Sequence, residues 1–143
     1  MNWTYGIAIH EDDGDQVVTV RDLSEVCTSG HTLTEALELA ADAVAVVVAW
    51  RIKHELDLPQ PKPVLKSEYP VPLEPKLAAK ASVYSLWRNS KLSKVELARR
   101  MGRNEAEVRR LLDPRHGTKL DQLQEAALAM GSRLVVGTVP LVA

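Results

Sequence analysis

The sequence predicts an α+β protein in which an antiparallel sheet with one long helix precedes an all-helical module. Three observations favour this class. Short β-rich stretches come first, a long capped helical stretch and a proline-rich segment follow, and two short capped helices lie beyond them. We therefore predict a first domain at residues 1–57, a linker at residues 58–75 and a second domain at residues 76–143.

The first domain begins with a predicted β-hairpin. Alternating apolar residues at Trp3–His10 and β-branched residues at Gln16–Arg21 predict two strands, and an acidic Asp-Gly turn lies between them. Val26–Ser29 predicts a third, short strand.

A long helix is predicted next, because Thr32 is a good N-cap and Glu35 follows at the capping-box position. The helical pattern runs over Leu33–His54. The β-branched cluster Val44–Val48 suits a strand on propensity. We favour a helix there because the cap precedes the cluster and the helical register continues past it.

The linker prediction depends on proline. Six of the eight prolines lie between Asp57 and Pro75, a density typical of a stiff, extended spacer. Glu68–Leu73 could still form an edge strand, where missing amide donors are tolerated. Glu74–Asn89 predicts the first helix of the second domain, with Pro75 in its first turn.

A helix-turn-helix is predicted within Leu92–Lys119. Ser93 predicts the N-cap of one short helix that ends at Gly102, and Asn104 predicts the N-cap of another that ends before Pro114. In a helix-turn-helix the second helix enters the major groove of DNA.

The charge distribution favours the same function. The first 73 residues hold five basic and twelve acidic residues, whereas the remaining 70 hold thirteen basic and seven acidic residues. Between residues 88 and 119 ten basic residues face four acidic ones. Such an excess suits a protein that neutralises DNA phosphates. The alternative is a solvated charged face on an ordinary helical hairpin.

The DNA-binding candidates lie at helix starts and on the outer side of the second helix. Arg109 could pair with guanine and Glu105 could accept from cytosine. Arg110 has an alternative structural role, with its head bonded to Asp113. The full set is Ser93, Lys94, Asn104, Glu105, Ala106, Arg109, Arg110, Arg115, Thr118 and Lys119.

The end of the chain predicts a fourth helix and a last strand. Thr118 is the expected N-cap of the helix, and its expected core residues are Leu120, Leu123, Ala127 and Leu128. Arg133–Val139 then reads as a strand without a partner in a helical domain. We expect it to pair with its copy in a homodimer, because an unpaired edge is a liability.

Nothing in the composition predicts a cofactor, a metal site or a membrane partner. Cys27 is the single cysteine, so no intrachain disulfide forms, as expected in the cytoplasm. The first residues do not resemble a signal peptide. The longest apolar run, Ala43–Trp50, is far below the ~20 residues of a membrane span. We expect a cytoplasmic protein.

Catalysis is the competing hypothesis. Paired carboxylates can hold catalytic metals, but three of the four candidates (Asp12, Asp13, Asp15 and Asp22) crowd into a hairpin turn, where acids usually serve turn formation. Cys27 with His31 lacks a third orienting group, so we expect a small buried cysteine. The four histidines have no metal-ligand spacing. We therefore predict no enzyme activity.

The layout of the whole chain resembles a HicB-type antitoxin. The N-terminal match is the hairpin, the short strand with Cys27 and Gly30, and the helix capped by Thr32. In the family's "PDLPGC" segment this chain keeps the aspartate, leucine and cysteine and lacks the proline and glycine. The C-terminal match is to the subset with a repressor-type (XRE/Cro-like) helix-turn-helix, through Leu97, Ala98, Gly102, Glu107, Val108, Arg110, Leu111, Thr118 and Lys119.

The resemblance implies a partial RNase H-like domain that blocks a small HicA-type toxin, a ribonuclease with a double-stranded-RNA-binding fold. It also implies operator binding by a dimer, or by a larger assembly joined through the N-terminal domains, and autorepression. An acidic half suits a basic partner, and the toxin-binding candidates are Asp12, Asp13, Asp15, Asp22, Glu25 and Trp50. A stand-alone repressor, whose first domain binds a small molecule or serves assembly only, is the alternative.

Overall fold

The computed structural model describes residues 2–141. It contains one antiparallel four-stranded sheet of order β3-β2-β1-β4, together with five helices. The elements are β1 (Thr4–Asp12), β2 (Asp15–Val20), β3 (Cys27–Gly30), α1 (Leu33–Lys53), β4 (Tyr69–Pro72), α2 (Pro75–Ser90), α3 (Lys94–Met101), α4 (Glu105–Leu111) and α5 (Leu120–Ala129). The mixed α/β class predicted from the sequence is confirmed.

The predicted hairpin and third strand are present. Asp13 and Gly14 both have positive φ, 50° and 85°, as a two-residue hairpin turn that matches the strand twist requires. β2 also pairs with β3, with Val18 opposite Thr28. Three strands that are consecutive in the chain are therefore adjacent in the sheet, and β4 pairs with the free edge of β1.

Helix α1 packs on the sheet along a row of residues spaced four apart. The Thr32 hydroxyl accepts a hydrogen bond from the Glu35 amide at 3.1 Å, so the predicted N-cap is confirmed. The valine cluster Val44–Val48 is helical, as predicted. Its first and last valines, four residues apart, lie on the side of the helix that faces the core. The buried residues of this row are Ala36, Ala40, Val44, Val48 and Ile52.

The proline-rich segment, predicted as a stiff, extended linker, is hydrogen-bonded to the first half of the chain. The Tyr5 hydroxyl donates to the Pro59 carbonyl at 2.7 Å, and Arg21 donates to the Pro63 carbonyl at 3.1 Å. The possible edge strand is present as β4, where Pro70 pairs with Gly6 of β1. An edge tolerates proline because its outward side needs no amide donor.

A single hydrophobic core spans both halves of the described chain. Only Leu73 and Glu74 separate β4 from α2. The Trp3 indole donates to the Ser82 hydroxyl at 2.8 Å, and the Tyr84 hydroxyl donates to the Leu56 carbonyl at 2.5 Å. Helix α2 is therefore held by the N-terminal half as well as by the helices that follow it.

Two predicted core residues of the second half are exposed. Leu120 and Leu128 have 53% and 51% of their surfaces exposed. Helix α3 turns Leu97 and Ala98 to the core, and α5 buries a narrow face. Short helices with one buried face leave their other apolar residues outside. The buried residues of α5 are Leu123, Ala126 and Ala127.

The predicted last strand is not a strand in the single chain. Residues 133–139 have neither helical nor strand structure. The Leu134 amide donates to the Gln124 side chain at 2.8 Å, whereas Val135, Val136 and Val139 are at least 71% exposed. A strand needs a second edge to pair with, and within residues 2–141 no strand pairs with this segment. Among residues 2–141, no helix has the length and apolar character needed to cross a bilayer.

Gly30 lies where α1 approaches the sheet most closely, and this predicts a stability effect. A Cβ atom at Gly30 would lie 2.7 Å from the Ala36 amide nitrogen, whereas one at Gly117 meets nothing within 4 Å. We expect Gly30→Ala to lower the free energy of unfolding by about 1–3 kcal/mol. Gly117→Ala, the matched control, should change it by less. Urea unfolding measures both, and equal effects would contradict the close approach.

Candidate functional site

The two helices of the predicted helix-turn-helix begin and end where the caps indicate. The Ser93 hydroxyl accepts from the Glu96 amide at 3.1 Å, and α3 ends at Gly102 with φ 66°. The Asn104 side chain accepts from the Glu107 amide at 2.9 Å, and the Glu107 carboxylate accepts from the Asn104 amide at 3.1 Å. Both bonds of a capping box therefore hold the start of α4.

Helix α4 has one buried side and one open side. Val108 and Leu111 are buried, whereas Glu105, Arg109 and Arg110 are exposed. The side chain of Arg109 is 60% exposed and lies 3.8 Å from the Glu105 carboxylate, one turn earlier. A helix that shows its N-terminal residues in this way can approach the edges of bases in a groove.

The positive charges around α4 are only partly neutralised within the chain. Six of the ten basic residues between residues 88 and 119 have a carboxylate partner. Among residues 2–141 the other four have none, and three of these four were DNA-binding candidates. The four are Lys91, Arg110, Arg115 and Lys119, the last three of which run from the end of α4 to the start of α5.

Lys94 is tied to the N-terminal half. Its ammonium lies 2.5 Å from the Glu55 carboxylate and 5.7 Å from the ring centroid of Trp87. Arg88 likewise pairs with Asp57 at 2.8 Å. The sequence places Lys94 at a helix start, where a phosphate contact is natural, but its charge is neutralised by Glu55, which follows α1 in the chain.

Lys80 is a positioning residue that the sequence analysis missed. Its side chain is buried, and its ammonium donates to the Arg110 carbonyl at 3.1 Å, the Leu111 carbonyl at 2.7 Å and the Thr118 hydroxyl at 2.6 Å. It therefore fixes the C-terminus of α4, where the negative end of the helix dipole also attracts a cation. The sequence could have indicated that Lys80 is buried, because it lies on the same face of the predicted helix as Tyr84 and Trp87.

In this region the predicted Thr118 cap is wrong, and the alternative bond from Arg110 to Asp113 is not formed by the side chains. Thr118 does not cap α5, because its hydroxyl accepts from Lys80 and the N-cap residue is Lys119, which makes no side-chain cap bond. The Arg110 guanidinium does not bond the Asp113 carboxylate. That carboxylate accepts from the Arg115 backbone amide at 2.9 Å, and Arg110 is exposed.

The toxin-binding candidates fall into two groups. The first group lies at the β1–β2 hairpin turn, where Asp12 and Asp13 are exposed. In the same group, the Asp15 carboxylate lies 2.9 Å from the ring of His31, which precedes α1. The others, Asp22, Glu25 and Trp50, lie near the far end of α1, and its 21 residues span roughly 30 Å. The candidates therefore do not form one patch.

The second group is largely engaged within the chain. The Asp22 carboxylate accepts from the Lys62 amide at 3.1 Å. Arg51 donates twice to the Glu25 carboxylate, at 2.7 and 2.8 Å, and these bonds lower the pKa of Glu25. Trp50 is 48% exposed and lies 4.6 Å, between ring centroids, from His54.

The prediction that Cys27 is buried is wrong. Strand β3 is an edge strand that turns Thr28 and Gly30 inward, so Cys27 is exposed. His31, four residues later, is bonded to Asp15 instead. Across residues 2–141, the acidic, histidine and cysteine side chains form no group of three or more that could hold a metal ion.

Comparison with known proteins identifies the family. No protein-family model matches the chain. Antitoxin HicB 1 of Photorhabdus laumondii is 35% identical over 136 residues, which cover 94% of this chain and 86% of that protein. This chain belongs to the HicB antitoxin family. Antitoxin HicB of Escherichia coli is 31% identical over 122 residues, 85% of this chain and 88% of that protein. Antitoxin HicB 2 of Photorhabdus laumondii is 29% identical over 133 residues, 93% of this chain and 94% of that protein.

The buried Lys80 predicts a pH-dependent stability. Desolvation lowers its pKa from 10.5 to about 8, against the favourable charge of Asp113. Between pH 8 and 10.5, Lys80 therefore binds more protons in the unfolded chain than in the folded chain. Its contribution to the free energy of unfolding rises with pH in that window. Lys80→Met leaves two carbonyls without this donor, so we expect a loss of about 1–3 kcal/mol at neutral pH.

The loss caused by Lys80→Met should grow from pH 8 to pH 10.5, because the wild type alone gains stability there. Lys76→Met, on an exposed position of the same helix, is the matched control and should change little at any pH. Thermal unfolding across this range measures both variants. A loss that shrinks as the pH rises would contradict the burial of a charged Lys80.

Proposed function

We propose that this HicB-family protein is a cytoplasmic, non-catalytic antitoxin that neutralises a small, basic, mRNA-cleaving toxin of the HicA type and represses its own operon. Family membership over nearly the whole chain supports the antitoxin role. The observation that carries the repressor role is the open side of α4, next to three cations without a carboxylate partner in the described chain.

In the proposed DNA complex, α3 and α4 act as the helix-turn-helix and α4 lies in the major groove. Arg109 binds a guanine and Glu105 accepts from a cytosine. These contacts replace the ion pair of 3.8 Å between the two side chains. Arg110, Arg115 and Lys119 contact phosphates, because their charges are free for such contacts. Asn104, Ala106 and the cap at Ser93 line the same approach.

In the proposed toxin complex, the acidic hairpin turn meets the basic toxin. Asp12 and Asp13 are exposed, and Asp15 bonds only the His31 ring among the described residues. Their negative charges complement a cationic surface. Asp22 and Glu25 stabilise the fold through their internal bonds and take no direct part. The N-terminal unit acts as the partial RNase H-like domain of the family, without a metal or a cofactor.

The proposed repressor is a homodimer joined through the C-terminal segment. Val135, Val136 and Val139 are exposed in a segment without regular structure, and pairing with a second copy would bury them and supply the missing strand edge. A two-fold dimer would place two copies of α4 on two half-sites of an operator.

The operator contacts are tested by a gel-shift titration on the DNA upstream of the protein's own operon. We expect Arg109→Ala to weaken specific binding by about 1–3 kcal/mol and leave nonspecific binding largely unchanged. Lys119→Ala should weaken all sequences and lower the salt slope by about one. Lys94→Ala, whose charge Glu55 already opposes, is the matched control with a smaller slope change. Unchanged operator affinity in Arg109→Ala would contradict the reading-helix assignment.

The toxin contact is tested by co-expression with the small basic protein encoded beside this gene. We expect the two proteins to co-purify and the cells to survive toxin expression. The double variant Asp12→Lys and Asp13→Lys should weaken co-purification at least about tenfold, because two attractive charges become repulsive. Glu74→Lys, an exposed acid remote from the hairpin, is the control. Failure to co-purify in the wild type would favour the stand-alone repressor.

A further inference from the structure

The three residues that follow the C-cap of α1 reach across to the helical half of the chain. We call residues 55–57 the bridging segment. The Leu56 carbonyl accepts a hydrogen bond from the Tyr84 hydroxyl of α2 at 2.5 Å. The Asp57 carboxylate lies 2.8 Å from the guanidinium of Arg88, also on α2. The bridging segment is therefore held in place at the junction of the two halves.

Glu55, the first residue of the bridging segment, has a left-handed backbone with φ 54°. Its amide donates to the Ile52 carbonyl at 3.2 Å, and the Leu56 amide donates to the Arg51 carbonyl at 2.9 Å. These two bonds are the Schellman ending of a helix, in which glycine is the usual residue at this position because it has no Cβ atom. The backbone therefore does not explain why a glutamate is present here.

The side chain of Glu55 offers an explanation, because it holds Lys94 at the start of α3. Its carboxylate lies 2.5 Å from the Lys94 ammonium. The same ammonium lies 5.7 Å from the ring centroid of the buried Trp87, where the face of the ring attracts a cation. The Lys94 side chain is 27% exposed and that of Glu55 is 46% exposed, so the ion pair can be approached from solvent.

One groove brings this ion pair alongside the candidate DNA-binding residues. The groove has a volume of about 250 Å³, and its lining includes Glu55, Lys94, Arg109 and Arg115. A phosphate that approaches this groove meets three cations and one carboxylate that repels it. The acid belongs to the N-terminal half of the chain, whereas all three cations belong to the helical half.

We propose that Glu55 regulates the DNA-binding surface as an internal competitor of DNA phosphate for Lys94. This inference rests on the proposed function, because it takes α3 and α4 as the DNA-binding helices. In the free protein the Glu55 carboxylate neutralises Lys94. DNA gains the Lys94 contact only by displacing that carboxylate. Because a phosphate contact carries no sequence information, Glu55 lowers the affinity for every DNA sequence alike.

The bridging segment makes this regulation responsive to the N-terminal half. It follows α1 directly, so a shift of the end of α1 moves the Glu55 carboxylate relative to Lys94. Movement away from Lys94 frees the ammonium and raises the affinity for DNA. A molecule bound to the N-terminal half can thus change DNA binding without contacting α3 or α4.

The proposal is tested by titrating the full chain with random-sequence duplex DNA at several salt concentrations. Glu55→Gln keeps the length of the side chain and removes its charge. The ion pair is partly exposed, so its attraction is modest, and we expect Glu55→Gln to tighten binding at low salt by about threefold or more and to steepen the salt slope by about one. Unchanged affinity and slope, or no binding by either protein, would overturn the proposal.

Lys94→Gln completes a double-mutant cycle that isolates the pair from the net charge of the chain. In the wild type, Lys94→Gln should change the salt slope little, because Glu55 already neutralises this charge. In the Glu55→Gln background it should lower the slope by about one, because the freed ammonium then contacts a phosphate. If Glu55→Gln tightened binding equally with and without Lys94, Glu55 would not act through Lys94 and the proposal would be wrong.

Glu55→Gly separates the effect of charge from damage to the fold. Glycine suits the left-handed backbone at this position, so the variant should stay folded, as thermal unfolding measures. We expect it to bind DNA as tightly as Glu55→Gln. If a folded Glu55→Gly variant bound DNA more weakly than the wild type, Glu55 would support the DNA-binding surface, contrary to the proposal.

The failure of this proposal and the failure of the proposed repressor give different results. Random-sequence DNA tests phosphate contacts and does not require α4 to read bases. If the wild type bound operator and random DNA equally, the operator-reading role would fail and the comparison of Glu55→Gln with the wild type would still decide this proposal. If Glu55→Gln matched the wild type while Arg109→Ala lost operator affinity, only the role of Glu55 would be wrong.

Discussion

The short connection between the sheet and the helical half constrains everything that follows it. Only two residues separate β4 from α2, and α2 is bonded back to the first half through Trp3 and Tyr84. Each of these aromatic side chains is also buried in the shared core. The helices that carry the candidate DNA-binding surface are therefore oriented by the N-terminal sheet and α1. A structural change in one half can shift the position of the other.

The second constraint is the buried ammonium of Lys80. A lysine in an apolar core is costly unless its donors are satisfied, and here the carbonyls at the end of α4 and the Thr118 hydroxyl satisfy them. This arrangement joins α2, the end of α4 and the start of α5 at one point. The position of α4 thus depends on a polar contact within an otherwise apolar interface.

Electrostatics in the second half differ from what a residue count indicates. Lys94 and Arg88 are opposed by Glu55 and Asp57, which follow α1 in sequence. Three of the four basic residues that lack a carboxylate partner within the described part of this stretch lie between the end of α4 and the start of α5, so the surface best suited to phosphates is narrower than the basic stretch of sequence. These two ion pairs also connect α1 to the helical half, which gives a physical route between the two proposed functions.

Local signals in the sequence determined where most elements begin and end. The caps at Thr32, Ser93 and Asn104 and the turn at Gly14 are short-range features, and each acts within a few residues of itself. The one failed cap, Thr118, failed because a distant lysine bonds its hydroxyl. Membership of the HicB family was likewise readable from the order of the segments, which the similarity to curated relatives confirms.

Only the tertiary structure decided which side chains remain free to act. Residues 58–65 of the proline-rich segment form neither helix nor strand, and hydrogen bonds from Tyr5 and Arg21 bind this segment to the first half of the chain. Burial of Leu120, Leu128 and Cys27 was expected from their apolar character, and the packing of neighbouring elements leaves them exposed. The physical reason is that caps and turns depend on near neighbours, whereas burial and ion pairing depend on residues that folding brings together from far along the chain.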